Sequence, residues 1–213
     1  MTKYNYFGEA KYISNNDLEA MIESWIKWIR DFIGKGWDVY MVTVLFHELA
    51  GSRQAKLIQM NQEIERIYNR LGTRTVTNTR APKWKGYLPI GIFVPDYPVP
   101  KSQGGEGSTI ADVSINDGLH MGGIVIANRF GKISTYLESH FREEKRTYRS
   151  GKVRYIDVRR ITRDVAKVVD YTFKSLKRRT CTADDVLVLN WGGSELRPTI
   201  FTEADRRFGS GPA

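Results

Sequence analysis

The sequence predicts an α+β domain, a central and mainly antiparallel sheet with flanking helices. Three observations carry that expectation. Segments with apolar residues at helical spacing alternate with short β-branched and aromatic runs. Two of those runs, Leu88 to Val94 and Leu119 to Ala127, follow one another with no helical segment between them, which favours an antiparallel pair over a crossover. No Gly-rich phosphate loop joins a strand to a helix, which argues against dinucleotide-binding and P-loop folds. The pattern suits a sheet with helices on one face better than a doubly wound parallel sheet.

The elements follow in order. Asn16-Asp17 can cap a helix carrying Leu18, Met21, Ile22, Trp25, Ile29, Phe32 and Ile33, with Gly34 at its end. Trp37 to Phe46 is a buried strand. Ser52 to Leu71 is a second helix, with Leu57, Met60, Ile64, Ile67, Tyr68 and Leu71 on one side. Thr73 to Val76 reads as a short strand and Leu88 to Val94 as a better one, ended by Pro95. Pro, Gly and Ser make a loop of Asp96 to Thr109. Leu119 to Ala127 is a strand, Lys132 to Tyr148 a helix, Val153 to Val158 a strand, Arg163 to Arg178 a long helix, and Val186 to Leu189 a last strand.

The 213 residues, 41% hydrophobic and 27% charged, fit one globular domain and argue against wholesale disorder. Lys and Arg outnumber Asp and Glu by 33 to 24, an excess that favours a polyanionic partner. The single cysteine, Cys181, rules out an internal disulfide and any multi-Cys zinc site, and reads as an ordinary thiol. No apolar run is long enough to span a bilayer, so a cytoplasmic protein with no membrane partner is expected.

Chemistry concentrates in two places. Of the three histidines, His120 lies on the strand Leu119 to Ala127, where residues 120 and 122 share one face. His47 and Glu48 follow the first strand directly and reach the same place if the two strands are neighbours. A divalent metal on a sheet needs ligands on one face at such spacing. Taken alone, His120 reads as a hydrogen-bonded histidine on a half-buried sheet, and His140 as a solvated surface residue. The last helix adds weight. Val165, Val168, Val169, Thr172 and Leu176 form its core stripe, while Tyr171 sits off it with Lys167, Lys174 and Arg178 along its own row. Cations beside a phenol attract a phosphate and help a tyrosine act as a nucleophile.

The order of these segments resembles the HUH endonuclease family, which includes rolling-circle replication initiators of small plasmids, phages and single-stranded DNA viruses. The residues that carry the resemblance are the first strand, Leu119-His120-Met121-Gly122-Gly123, and Tyr171-Thr172-Phe173-Lys174. They resemble, except at position 122, a family pattern of His-hydrophobe-His on a strand followed by Tyr-x-x-Lys on a helix. The resemblance spans roughly Trp37 to Arg178 and implies a single ferredoxin-like nicking domain over 1–208; the Gly, Ser and Pro of 209–213 are separately expected to form a disordered tail. It further implies a Tyr171 nucleophile assisted by Lys174 and a 5′-phosphotyrosine intermediate. Mg²⁺ or Mn²⁺ would be held by His120 with Glu48 or His47. The partner would be single-stranded or hairpin DNA, and a helicase is a further partner that the resemblance admits.

Position 122 departs from the pattern. Glycine has no side chain and cannot ligate a metal, so divalent binding is expected to be weak or absent and nicking impaired. Three explanations are open: a natural non-cutting relative, a site completed by His47 or Glu48, or an introduced change. Lys83-Trp84-Lys85 mixes cations with an aromatic, and Arg159 and Arg160 extend a basic stretch. Together with Lys167 and Arg178 these are the expected contacts to a strand, by backbone neutralisation and base stacking. Trp84 and Tyr87 read equally as packing residues. Two further readings stand beside strand transfer: a non-cleaving nucleic-acid-binding module of the same fold, and an RNA-binding or interaction protein.

Overall fold

The computed structural model describes residues 14–97, 115–129 and 131–190. Most of the expected loop after Asp96 and the C-terminal tail therefore lie outside the described residues. Five strands form one sheet: β1 (Asp38–Phe46), β2 (Ile90–Asp96), β3 (His120–Ala127), β4 (Val153–Arg160) and β5 (Leu187–Leu189). Their order is β4-β1-β3-β2-β5, and every neighbouring pair is antiparallel.

The helices are α1 (Asn15–Gly34), α2 (Arg53–Thr75), α3 (Leu137–Glu143), α4 (Lys145–Tyr148), α5 (Val165–Thr172) and α6 (Lys174–Lys177). The run β1-α2-β2-β3-α3-β4 is a βαββαβ unit of the ferredoxin-like kind, to which β5 adds one edge strand.

Helices cover both faces of the sheet, not one. On the first face α2, α3 and α4 bury Leu57, Met60, Ile64, Phe141 and Tyr148 against Val42, Val44, Met121 and Val125. On the other, α1, α5 and the residue that follows α5 bury Trp25, Ile29, Val169 and Phe173 against Ile92, Val94, Ile124 and Ile126. The inner strands explain this: every residue of β2 is buried, so both of its faces need cover.

Several boundaries differ from expectation for local reasons. Ser14, not Asn16-Asp17, caps α1, its hydroxyl accepting from Asp17 N at 3.1 Å. Thr75 ends α2 instead of forming a strand, its hydroxyl donating back to Leu71 O at 2.8 Å. Pro95 stays inside β2 opposite Met121, because β5 pairs with β2 only at Gly91, Ile92 and Phe93 and, among the described residues, no strand pairs with that edge at Pro95. The helix expected from Lys132 begins only at Leu137 and is interrupted at Glu144. The last helix is interrupted at Phe173, which is fully buried and stacked on Trp25 with ring centroids 6.4 Å apart.

Candidate active site

Asp96 closes β2 and His120 opens β3, and the two are register partners. Even-numbered residues of both strands, Ile92 and Val94 on β2 and Ile124 and Ile126 on β3, face α1 and α5. Strand alternation therefore turns Asp96, His120 and Gly122 toward the same helices.

A buried carboxylate is tolerable only when donors surround it. Asp96, 7% exposed, has four. Its Oδ1 accepts from Ser175 Oγ at 2.7 Å and from Tyr97 N at 2.9 Å. Its Oδ2 lies 2.7 Å from Lys174 Nζ and 3.3 Å from His120 Nε2. Burial alone would raise the Asp96 pKa. The contacts from His120, Lys174 and Ser175 outweigh it and hold the group at about 2.

His120 is oriented from its other side as well, with Nδ1 3.0 Å from Gly118 O. The turn that supplies this carbonyl is left-handed at three successive residues, Asn116, Asp117 and Gly118, with φ of 55°, 57° and 75°. Asn116 pays for that conformation with its buried amide, which accepts from Leu49 N at 2.8 Å and donates to His47 O at 2.9 Å. The exit of β1 and the approach to β3 are thereby tied together.

Tyr171 and Lys174 lie three residues apart across the α5–α6 join. The ammonium donates to the Tyr171 hydroxyl at 2.7 Å and lies 3.9 Å from its ring centroid. Tyr171 is 49% exposed, whereas the Lys174 side chain is only 13% exposed. Three consecutive contacts thus run from the surface inward: phenol to ammonium, ammonium to carboxylate, carboxylate to imidazole.

The other expected site residues divide by location. His47 and Glu48 are exposed at the His120 end of the sheet, since β1 and β3 are antiparallel neighbours. The groups that meet the His120 ring, however, are Asp96 and Gly118. Lys167 and Arg178 are exposed on the same helical run as Tyr171.

Lys83, Trp84 and Lys85 form a 3₁₀ turn ahead of β2, at the opposite end of that strand, about 20 Å from Asp96 by strand rise. Lys83 Nζ lies 5.4 Å from the half-buried Trp84 ring, which meets Tyr87 edge-on at 5.6 Å. Arg159 and Arg160 are also at that far end. Arg160 is engaged by buried Asp38, which Arg129 also grips, while Arg159 pairs with Asp157.

His140 is not a solvated surface residue. It is half-buried, with Nε2 2.6 Å from the Tyr148 hydroxyl. Cys181 is buried, and burial pushes its thiol up to about 12, so it is an inert thiol.

Sequence reasoning missed Asp96 and Ser175. Asp96 continues the Ile90-Ile92-Val94 alternation and so belongs to the His120 face, but Pro95 disguised it as the start of a loop. Ser175 had no signal, because its partner comes from a strand 79 residues away in sequence.

The donor set does not suit a resident divalent ion. Two donors 3.3 Å apart are close enough to share a cation, yet Asp96 has its four acceptor positions filled, one of them by an ammonium. Among the described residues no group of three His, Cys, Asp or Glu side chains converges as metal ligands would. At position 122 the space is open: a Cβ built on Gly122 meets no atom within 4 Å. Gly123, by contrast, is forced to be glycine, since a Cβ there would meet Phe93 Cδ1 at 2.3 Å and Ile92 O at 2.6 Å.

No protein-family model, curated protein or solved structure matches this chain. Among the described residues no helix is long and apolar enough to cross a membrane.

Proposed function

We propose that the chain binds single-stranded DNA and that Tyr171 is the nucleophile of a slow strand-transfer reaction at a phosphodiester, as in rolling-circle initiators of mobile elements. The observation that carries this reading is the exposed Tyr171 hydroxyl accepting from Lys174, whose ammonium is fixed in turn by Asp96 beside His120. An ammonium at a phenol oxygen supplies positive charge where an attacked phosphate gathers negative charge. In the reaction the tyrosine oxygen bonds to phosphorus and the P–O3′ bond breaks. The phenol loses its proton to water and the departing 3′-oxygen gains one. The products are a 5′-phosphotyrosine link and a free 3′-hydroxyl.

Gly122 supports a second reading, a binding module of the same kind that no longer cleaves. A labelled single-stranded oligonucleotide, incubated with the protein and resolved under denaturing conditions, separates the two. Strand transfer gives a covalent adduct in the wild type and none in Tyr171→Phe. Pure binding gives a retarded native complex and no adduct in either. Single-stranded DNA bound no better than RNA or duplex would favour the RNA-binding or interaction reading instead.

A further inference from the structure

We infer that Lys174 is the resident cation of this site, and that its remaining N–H takes a phosphodiester oxygen beside Tyr171 without a divalent metal. The inference rests on the phosphodiester reading above and adds how the ligand's charge is met.

The carboxylate is the first reason. A divalent ion on Asp96 would have to displace Lys174 from Oδ2, or Ser175 and the Tyr97 amide from Oδ1. The imidazole is the second. Both ring nitrogens of His120 are turned to acceptors, Gly118 O at 3.0 Å and Asp96 Oδ2 at 3.3 Å, so a metal reaches either nitrogen only by displacing one of these contacts. His120 is accordingly a positioning residue that helps hold the carboxylate under the lysine.

The ammonium itself is the third. It has three hydrogens, and Asp96 Oδ2 and the Tyr171 hydroxyl take two of them. The third is left for a ligand, at an oxygen poised next to the phenol. A side chain only 13% exposed and held at both contacts has already lost much of the freedom a surface lysine keeps. The open sheet surface at Gly122 leaves room for the ligand on the side where a second imidazole would stand.

The test is a Mn²⁺ titration followed by the electron paramagnetic resonance signal of free Mn²⁺, run beside fluorescence anisotropy of a labelled oligothymidylate in EDTA or in Mn²⁺. The wild type is expected to leave the Mn²⁺ signal unchanged at equimolar protein. Gly122→His combined with Lys174→Met is expected to tighten Mn²⁺ binding by at least about 10–100-fold. Oligonucleotide affinity is expected to be equal in EDTA and Mn²⁺, and to fall roughly tenfold in Lys174→Met, the loss of one charge-assisted hydrogen bond. One Mn²⁺ sequestered per wild-type chain and released in His120→Ala overturns the inference, as does DNA binding that requires Mn²⁺ or survives Lys174→Met unchanged. An oligonucleotide bound in neither buffer would remove the phosphodiester reading instead, and the Mn²⁺ titration would still decide the identity of the cation.

Discussion

Asp96 and His120 face one another across the β2–β3 pair as register partners, their side chains 3.3 Å apart. Neither residue alone marks a site. Together they put a buried carboxylate and an imidazole under one helix end, where Lys174 joins them to Tyr171.

Removing the carboxylate's charge is the sharpest stability test of that arrangement. Asp96→Asn leaves Lys174 nearly buried with no counter-charge, a change that costs about 3–5 kcal/mol where a buried pair is broken from one side. Chemical denaturation at neutral pH measures it.

Acid titration gives the same interaction a pH window. The Asp96 pKa is lowered from 3.8 to about 2 in the folded chain. The unfolded state therefore binds the proton first. Its contribution, about 2 kcal/mol, is fully present above pH 4 and disappears as the pH falls through 2. Urea midpoints measured down this range are expected to drop more steeply in the wild type than in Asp96→Asn.

The adjacent glycines respond oppositely to a methyl group. Gly123→Ala drives a Cβ into Phe93 and the Ile92 carbonyl and is expected to cost about 1–3 kcal/mol, as overpacking does. Gly122→Ala enters open space and is expected to change stability by less than about 1 kcal/mol. Thermal melts of the two variants check the contrast. Equal losses would mean that position 122 is confined too.

His140 sets a second pH dependence, away from the site. Burial holds its imidazole below the usual 6.5, against the opposing pull of Glu144 and Glu143 and with help from Arg74. A base depressed by folding binds its proton first in the unfolded chain. Its contribution is complete above pH 6.5 and is lost as pH falls toward the folded value. The urea midpoint is expected to fall between pH 7.5 and 5.5 in the wild type, and to fall less in His140→Gln.

The basic turn at the far end of the sheet predicts a graded effect on DNA. If a strand runs from Tyr171 toward Lys83 and Lys85, each Lys→Ala change lowers the salt slope of binding by about 1. Trp84→Ala then costs about 1–3 kcal/mol per stacked base. Salt-dependent anisotropy titrations read both.

Much of the fold was legible because long periodic segments announce themselves. Leu18 through Phe32 and Leu57 through Leu71 kept the stripes that their spacing predicted, and Val39 to Phe46 stayed a strand. The antiparallel pairing of β2 with β3 followed from the lack of a helix between them. What stayed hidden depended on tertiary register. Nothing in one sequence says that Asp96 pairs with His120, that Ser175 reaches Asp96, or that Asp38 captures Arg160 from a strand 122 residues on. Tyr171 and Lys174 were readable from i, i+3 spacing, but the carboxylate that holds Lys174 was not.

The most direct measurement is a nuclear magnetic resonance titration of isotope-labelled protein with a short single-stranded oligonucleotide, read at the Lys174 ammonium, the His120 ring and the Tyr171 ring. All three are expected to move together and to saturate at one oligonucleotide per chain. Saturating binding that shifts other residues and leaves these three unmoved would contradict it.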